Sequence, residues 1–364
     1  MKNSQDLTQQ NSFQFQTHIS FWSRSWSFID ELKNASDEKI INAIAKTSER
    51  YQSSQQMHKS PWHDIDFQLS YLAYFMPLNA LRLESVLLEA RERNFFSDIN
   101  TVLDFGSGCG TFHYAYMDLL DKHKTDNPLP EIKKWIFIEN ENRATQIHKK
   151  LLSAWNLPIT NAEWLTQSPK ISPALTTAKN SLGVFSYSLN EIHANLESIP
   201  DLESLLIIEP STQNWGRRLQ ELRAQLISKG YYLWAPCVHQ EACPLLTQSK
   251  SDWCHHRIHI ELPKELQKIH ERLPIKNKSL TYSYLLAKKI PPPKVDKMSR
   301  VIGDTLFERG KIRQAICRNS DREFLSWLTK HGEPEIIPRG TLLPIDFEFE
   351  KKGDELRVIP LQVK

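Results

Sequence analysis

Two periodicities divide the chain. Over residues 16–98 the apolar positions recur at helical spacing, first through Phe21-Trp22, Trp26, Phe28-Ile29 and Leu32 and then, past a break at Ser60-Pro61-Trp62, through Leu69, Tyr71-Leu72, Phe75-Met76, Leu81 and Val86-Leu87-Leu88. This spacing gives each helix one apolar stripe, so the region predicts a helical cap packed on the next domain, with Asp37 placed to open a helix over 38–51. The stretch from Tyr71 to Asn79 is also placed to line a pocket. From residue 99 the pattern shortens: nearly continuous apolar runs at 100–105, 134–138, 182–187, 204–208 and 231–234 alternate with helical stretches at 112–122, 143–155, near Glu191, and at 215–229. Strands apolar on both faces and separated by helices predict a doubly wound α/β sheet. Ligands of such sheets bind outside the carboxyl ends of the strands, which places Tyr187, Ser188, Asn190, Glu191, Glu209 and Pro210 near any bound molecule.

Beyond this domain the chain changes again. A proline-bounded helix at 263–272, a strand at 281–287 and the stiff linker Ile290-Pro291-Pro292-Pro293 follow, and in the last seventy residues short segments at 300–303, 311–318, 342–350 and 355–360 predict a small β-rich appendage. The expected organisation is a disordered polar tail at 1–15, a helical N-terminal region at 16–98, an α/β domain at 99–262, and a basic linker with the β-rich C-terminal region at 263–364.

Composition narrows the function classes. With 364 residues, 40% hydrophobic and 24% charged, the chain can bury a sizeable core, and no apolar run approaches the roughly eighteen residues of a membrane span. The amino end, with one Lys, no Arg and no apolar stretch, reads as neither secretory signal nor organelle presequence. Five cysteines are too few, and odd in number, for a disulfide scaffold; a reducing compartment such as the cytoplasm suits them. The net charge of +3 conceals a block at 264–318 that sums to +9, leaving −6 for the rest. Such a block either docks on nucleic-acid phosphates or is a solvated basic face.

The first candidate site is the turn after the strand at 100–105. Asp104-Phe105 runs straight into Gly106-Ser107-Gly108-Cys109-Gly110-Thr111 and a helix. Glycines let backbone amides approach a ligand closely while the helix amino end faces it. A dinucleotide loop needs a third glycine where Thr111 stands, so the loop instead resembles motif I of class I S-adenosylmethionine-dependent methyltransferases. An acidic residue ending the next strand would accept the ribose hydroxyls; Glu139 fits, with Glu141 as the fallback and the polar insertion at 121–131 accounting for the long spacing. The plainer reading is a turn that only packs and a Glu139 that only ends a strand.

The second is the segment at 235–257, which holds Cys237, Cys243 and Cys254; Cys317 is a remote fourth and Cys109 an outlier in the glycine loop. Four thiolates close a tetrahedral zinc site or hold a cubane iron-sulfur cluster. Five residues separate the first pair and ten the second, so the tight knuckle usual in structural zinc sites is missing, although His239, His255 and His256 could substitute as zinc ligands. Spacing alone leaves cluster, zinc and no metal open. A nucleophilic Cys237, as in pyrimidine carbon-5 methylation, would require its Pro-Cys dipeptide after the fourth strand, where Ser188-Leu189-Asn190-Glu191 stands instead. An Asn/Asp-Pro-Pro-aromatic box for amino-group methylation is also missing there.

Taken together, Leu103-Asp104-Phe105-Gly106-x-Gly108-x-Gly110, Ser186-Tyr187-x-Leu189-Asn190-Glu191, Ile208-Glu209-Pro210, and above all Ala235-Pro236-Cys237-x-His239-x-x-x-Cys243-Pro244 with Asp252-Trp253-Cys254-His255 resemble one family. It is that of methyltransferase-like proteins associated with the small ribosomal subunit, found in mitochondria and in bacteria; the resemblance covers roughly residues 65–320. It implies a class I, Rossmann-like fold that binds S-adenosylmethionine at Asp104, Gly106, Gly108, Gly110 and Glu139. It also implies a four-iron, four-sulfur cluster on Cys237, Cys243, Cys254 and Cys317, and binding to small-subunit ribosomal RNA during assembly, with the block at 264–318 as candidate contact. The chain departs from the family at Val238 and after Cys317, where Ser326 to Lys330 and Ile337 to Gly340 replace the family's closing elements. Two further readings are an active RNA or protein methyltransferase in which Asn190 and Glu191 orient the acceptor, and a zinc-stabilised nucleic-acid-binding module.

Overall fold

In the computed structural model, residues 15–16, 30–52, 61–122, 128–155, 159, 161–166, 179–189, 199–262, 264–274, 279–294, 297–332, 334 and 336–359 are described. The apolar runs become parallel strands: Thr101–Phe105 (β1), Lys134–Ile138 (β2), Ala162–Leu165 (β3), Ser181–Ser186 (β4) and Ser204–Glu209 (β5), ordered β3-β2-β1-β4-β5. Successive strand residues point to opposite faces. Val102, Phe137, Val184 and Leu206 accordingly enter one core, while Leu103, Ile136, Phe185 and Leu205 enter the other. Covering helices on each side explain why the runs are continuous rather than alternating.

The far edge of the sheet positions the cysteines. Ser279–Lys288 (β8) lies antiparallel to β5, and its free edge is shared end to end by two strands. Tyr232–Ala235 (β6) pairs with its carboxyl half, and His256–Glu261 (β7) pairs with its amino half. The cysteine segment leaves the sheet between them. Five parallel strands followed by an antiparallel strand inserted beside the last make the class I methyltransferase sheet. Phe15–Gln16 adds a two-residue pairing to β7.

The helical region comprises Asp37–Gln52 (α1), Ile65–Ser70 (α2), a π-helical turn Tyr71–Phe75, and Met76–Glu92 (α3). The helical run past the break at Ser60-Pro61-Trp62 contains a π turn, where the Met76 N–H reaches back to Tyr71 O and Pro77 offers no donor to continue the ordinary ladder. The reading of 1–15 as a tail lies outside the described residues except for Phe15. Thr111–Lys122 (α4), Asn142–Ala154 (α5) and Gln213–Ser228 (α6) cover the sheet.

The appendage contains Met298–Val301 (β9), Leu306–Glu308 (β10), Lys311–Cys317 (β11), Glu323–Leu328 (β12), Leu342–Pro344 (β13), Phe349–Lys352 (β14) and Glu355–Val358 (β15). Their order is β13-β9-β11-β12-β15-β14, with β10 on β11, around a small core of Val301, Ile316, Leu325, Ile345 and Leu356. The boundary drawn at residue 262 cuts the sheet, because β8 belongs to it and the sheet ends only at Lys288. One buried ion pair joins all three parts. Arg300 on β9 pairs with Glu89 on α3, which also accepts the Tyr284 hydroxyl, and Arg300 donates to Pro236 O at 3.1 Å and Gly340 O at 2.7 Å.

Candidate cofactor and cysteine sites

Gly106, Gly108 and Gly110 turn the chain at φ +67, +54 and +87, a region that costs a residue with a side chain roughly 1–2 kcal/mol. What backs each glycine differs. A Cβ on Gly106 would lie 2.5 Å from Ser188 Cβ, and one on Gly110 2.3 Å from His148 Nε2, whereas the nearest atom to one on Gly108 is in the Trp62 ring at 3.6 Å. Two glycines are thus fixed by packing, and Gly108 turns its face outward beneath Trp62 of the helical cap. Tyr71, on the π turn, lies 3.3 Å from Thr111 Oγ1 at the start of α4, so the cap closes over the loop.

Two carboxylates, Glu139 and Asp104, stand beside the loop. Glu139 accepts the Gly108 N–H at 2.7 Å and the Glu141 N–H at 2.8 Å. Asp104 is fully buried, and neither carboxylate oxygen has a hydrogen-bond partner among the described residues. Burial, reinforced by the Glu139 charge, pushes the Asp104 pKa up from 3.8 to about 8, and burial also raises Glu139. The unfolded chain releases this proton first, so the folded chain loses stability as pH climbs from 3.8 through about 8. Asp104→Asn is expected to flatten the decline in thermal midpoint of the ligand-free protein over that window. An unchanged decline would show that Asp104 is not the group responsible.

Asn190 and Glu191, the candidates for orienting an acceptor, lie outside the described residues. Their neighbours are constrained: Tyr187 leaves β4 at φ +59, rare for a bulky residue, and Glu209 Oε1 accepts the Leu189 N–H at 3.0 Å.

Cys237, Cys243, Cys254 and Cys317 all line one cavity, with His239, His256 and the β8 residues Ser283 to Leu285. The Ser283 hydroxyl fixes the Cys254 carbonyl at 2.8 Å, and His239 Nε2 lies 3.2 Å from Cys317 Sγ. Alternation along β11 buries Ile312, Gln314 and Ile316 on one face, which puts Cys317 on the other. Burial and the neighbouring sulfurs raise Cys243, Cys254 and Cys317, with Cys254 pushed up to about 12. These three thiols therefore keep their protons at neutral pH. Burial keeps His239 low, near 4, while His255 stacks on Trp253 instead of lining the cavity. Among the described residues no three His, Cys, Asp or Glu side chains stand close enough to hold a single metal ion. Cys109 packs apart from this group, with its Sγ 3.3 Å from Met76 Sδ.

Much of the basic block at 264–318 is paired within the protein. Of its residues, Arg272, Lys288, Lys289, Arg300, Lys311, Arg313 and Arg318 are held in ion pairs with Glu38, Asp98, Asp201, Glu89, Glu355, Glu308 and Glu323. Lys264, Lys268, Lys297 and Arg309 stay exposed and carry no ion pair among the described residues.

Residues 67–340 match the family described as "Mitochondrial small ribosomal subunit Rsm22". No curated protein matches the sequence. Among solved structures the chain is similar to a putative RNA methyltransferase, PH1948, from Pyrococcus horikoshii, at 10% identity over 70% of this chain and 98% of that one, with a TM-score of 0.33. It is also similar to a rRNA methylase from Streptococcus thermophilus, at 12% identity over 55% and 94% of the two chains and a TM-score of 0.31. A third is M. capricolum TrmK in complex with S-adenosyl-homocysteine, at 11% identity over 55% and 69% and a TM-score of 0.29.

Proposed function

The chain belongs to the mitochondrial small ribosomal subunit Rsm22 family, and on that premise we propose that it is a methyltransferase-like factor acting in small-subunit assembly or translation. In this reading it binds S-adenosylmethionine, a four-iron, four-sulfur cluster and small-subunit ribosomal RNA. The observation that carries it is the meeting of four cysteines from two parts of the chain in one cavity, with Cys317 brought from the appendage to the other three.

The donor set is four cysteines lining one cavity, enough thiolates for a cubane cluster or for a zinc ion. The family resemblance is what favours the cluster. Cys237, Cys243, Cys254 and Cys317 would hold the cluster, which supplies a rigid, electron-accepting crosslink.

S-adenosylmethionine fits the glycine loop. The buried oxygens of Asp104 lack a partner among the described residues, Glu139 sits on the Gly108 amide, and Gly108 has only the Trp62 ring of the cap over it, at 3.6 Å from where a Cβ would stand. Gly106, Gly108 and Gly110 would hold the cofactor beside the two carboxylates, and its sulfonium is a methyl donor. If transfer occurs, Asn190 and Glu191 would orient the acceptor by position, which is a large part of what such a reaction requires. For RNA, the unpaired Lys264, Lys268, Lys297 and Arg309 are the contacts we favour within the block at 264–318. We place the protein in the cytoplasm, which keeps its thiols reduced. The family's description names the mitochondrion, and no helix among the described residues is long and apolar enough to cross a membrane.

Calorimetry tests the cofactor reading. The wild type is expected to give a binding heat with S-adenosylmethionine and Gly108→Trp none; no heat from the wild type would sink the proposal. Crosslinking to cellular RNA should recover small-subunit ribosomal RNA, and indiscriminate recovery would contradict the ribosomal role. Labelled methyl transfer to isolated small subunits, lost in Gly108→Trp, would select the enzyme over the scaffold.

A further inference from the structure

Helix α6 passes beneath the cysteine segment and turns two polar side chains into the cavity from one face, Gln220 and Arg223, three residues apart. They are 4% and 2% exposed. Arg223 Nε donates to Cys237 Sγ at 3.1 Å and Nη2 to the His239 carbonyl at 3.0 Å, while Gln220 Nε2 donates to Cys243 Sγ at 3.3 Å. Among the described residues no carboxylate pairs with Arg223, whereas Arg300, the other buried arginine among them, has Glu89.

A guanidinium cannot shed its proton, so a buried one needs an anion beside it or costs several kcal/mol. The His239 carbonyl dipole does not supply one. A centre ligated by thiolates does, because its net charge is negative. We propose that Arg223 is the counter-charge of the sulfur-ligated centre and that, with Gln220, it sets the centre's reduction potential through donors to Cys237 and Cys243. The inference rests on the cluster reading. Hydrogen bonds and positive charge at the sulfurs favour the more negative, reduced state, so their removal lowers the potential. Arg223 is a positioning residue, acting through the cysteine sulfurs.

The test is a redox titration of anaerobically purified full chain, followed by the electron paramagnetic resonance of the reduced cluster. Each step adds one electron from dithionite and breaks no bond. Arg223→Met is expected to shift the oxidised-to-reduced ratio at fixed solution potential toward oxidised by about tenfold, the scale of a charged hydrogen bond. Arg223→Lys keeps the charge without the fork and should shift it less; Gln220→Leu, which removes a neutral donor, should shift it least. Arg223→Met that loads iron and titrates at the wild-type potential overturns the inference while leaving the cluster standing. Should Arg223→Met fail to fold, wild-type potentials in both Arg223→Lys and Gln220→Leu overturn it equally. A wild type that binds no iron removes the cluster reading itself, and this inference with it.

Discussion

Cys317→Ser is expected to strip iron from the protein and to loosen the appendage from the sheet. Cys317 ends β11 and, with Ile302, is the appendage's contribution to a cavity otherwise lined from β8, α6 and the cysteine segment. A hydroxyl is a poor ligand for a soft metal centre, and binding free energy at such a site is folding free energy, on the order of 10 kcal/mol for structural metals. The appendage would then be held mainly by Arg300 and by surface pairs such as Arg322 with Asp252. Limited proteolysis should cut the Pro291-Pro292-Pro293 linker region faster in Cys317→Ser than in the wild type. Cys109→Ser is the control: its thiol packs on Met76, away from the cavity, so iron content should be unchanged. Full iron in Cys317→Ser would remove the fourth ligand from the account.

Glu89→Ala should cost about 3–5 kcal/mol, because it leaves Arg300 buried without its carboxylate. Burial alone would raise the Glu89 pKa, but the charges of Arg300 and Arg93 overcome it and hold the carboxyl down to about 2. A depressed carboxylate contributes stability that is present above its ordinary pKa of 4.5 and is lost as pH falls through about 2. Acid unfolding of the wild type should therefore steepen below about pH 4.5. Glu89→Gln should already be weaker at neutral pH and lack that limb. The double variant Glu89→Leu with Arg300→Met should recover much of the loss, since it removes both buried charges. If the double variant is as unstable as the single, packing rather than charge accounts for the effect.

Much of the sheet was readable because buried parallel strands are apolar on both faces, as in the run ending at Asp104 and the run ending at Glu209. The glycine turn and Glu139 followed from where strands end. Strand β3 escaped notice because Ala162-Glu163-Trp164-Leu165 is short and lies at the sheet edge. Strand β7 escaped because His256, Arg257 and His259 made it look like an extension of the cysteine segment. Strand β8 was grouped with the region at 263–364 because it follows the cysteine segment and a proline-bounded helix, although its partner is β5. No local pattern could reveal that Glu89 meets Arg300, 211 residues away, or that Trp62 covers Gly108. The basic block illustrates the same limit: a charge count cannot tell a lysine facing solvent from Lys288, which is buried against Asp98.

The most direct test is the iron and acid-labile sulfide content of full-length protein purified without oxygen, in the wild type and in serine variants of all five cysteines. The account predicts about four irons and four sulfides per chain, lost in the variants of Cys237, Cys243, Cys254 and Cys317 but kept in Cys109→Ser. A single zinc with no iron, or a metal-free chain in which all five variants behave alike, would contradict it.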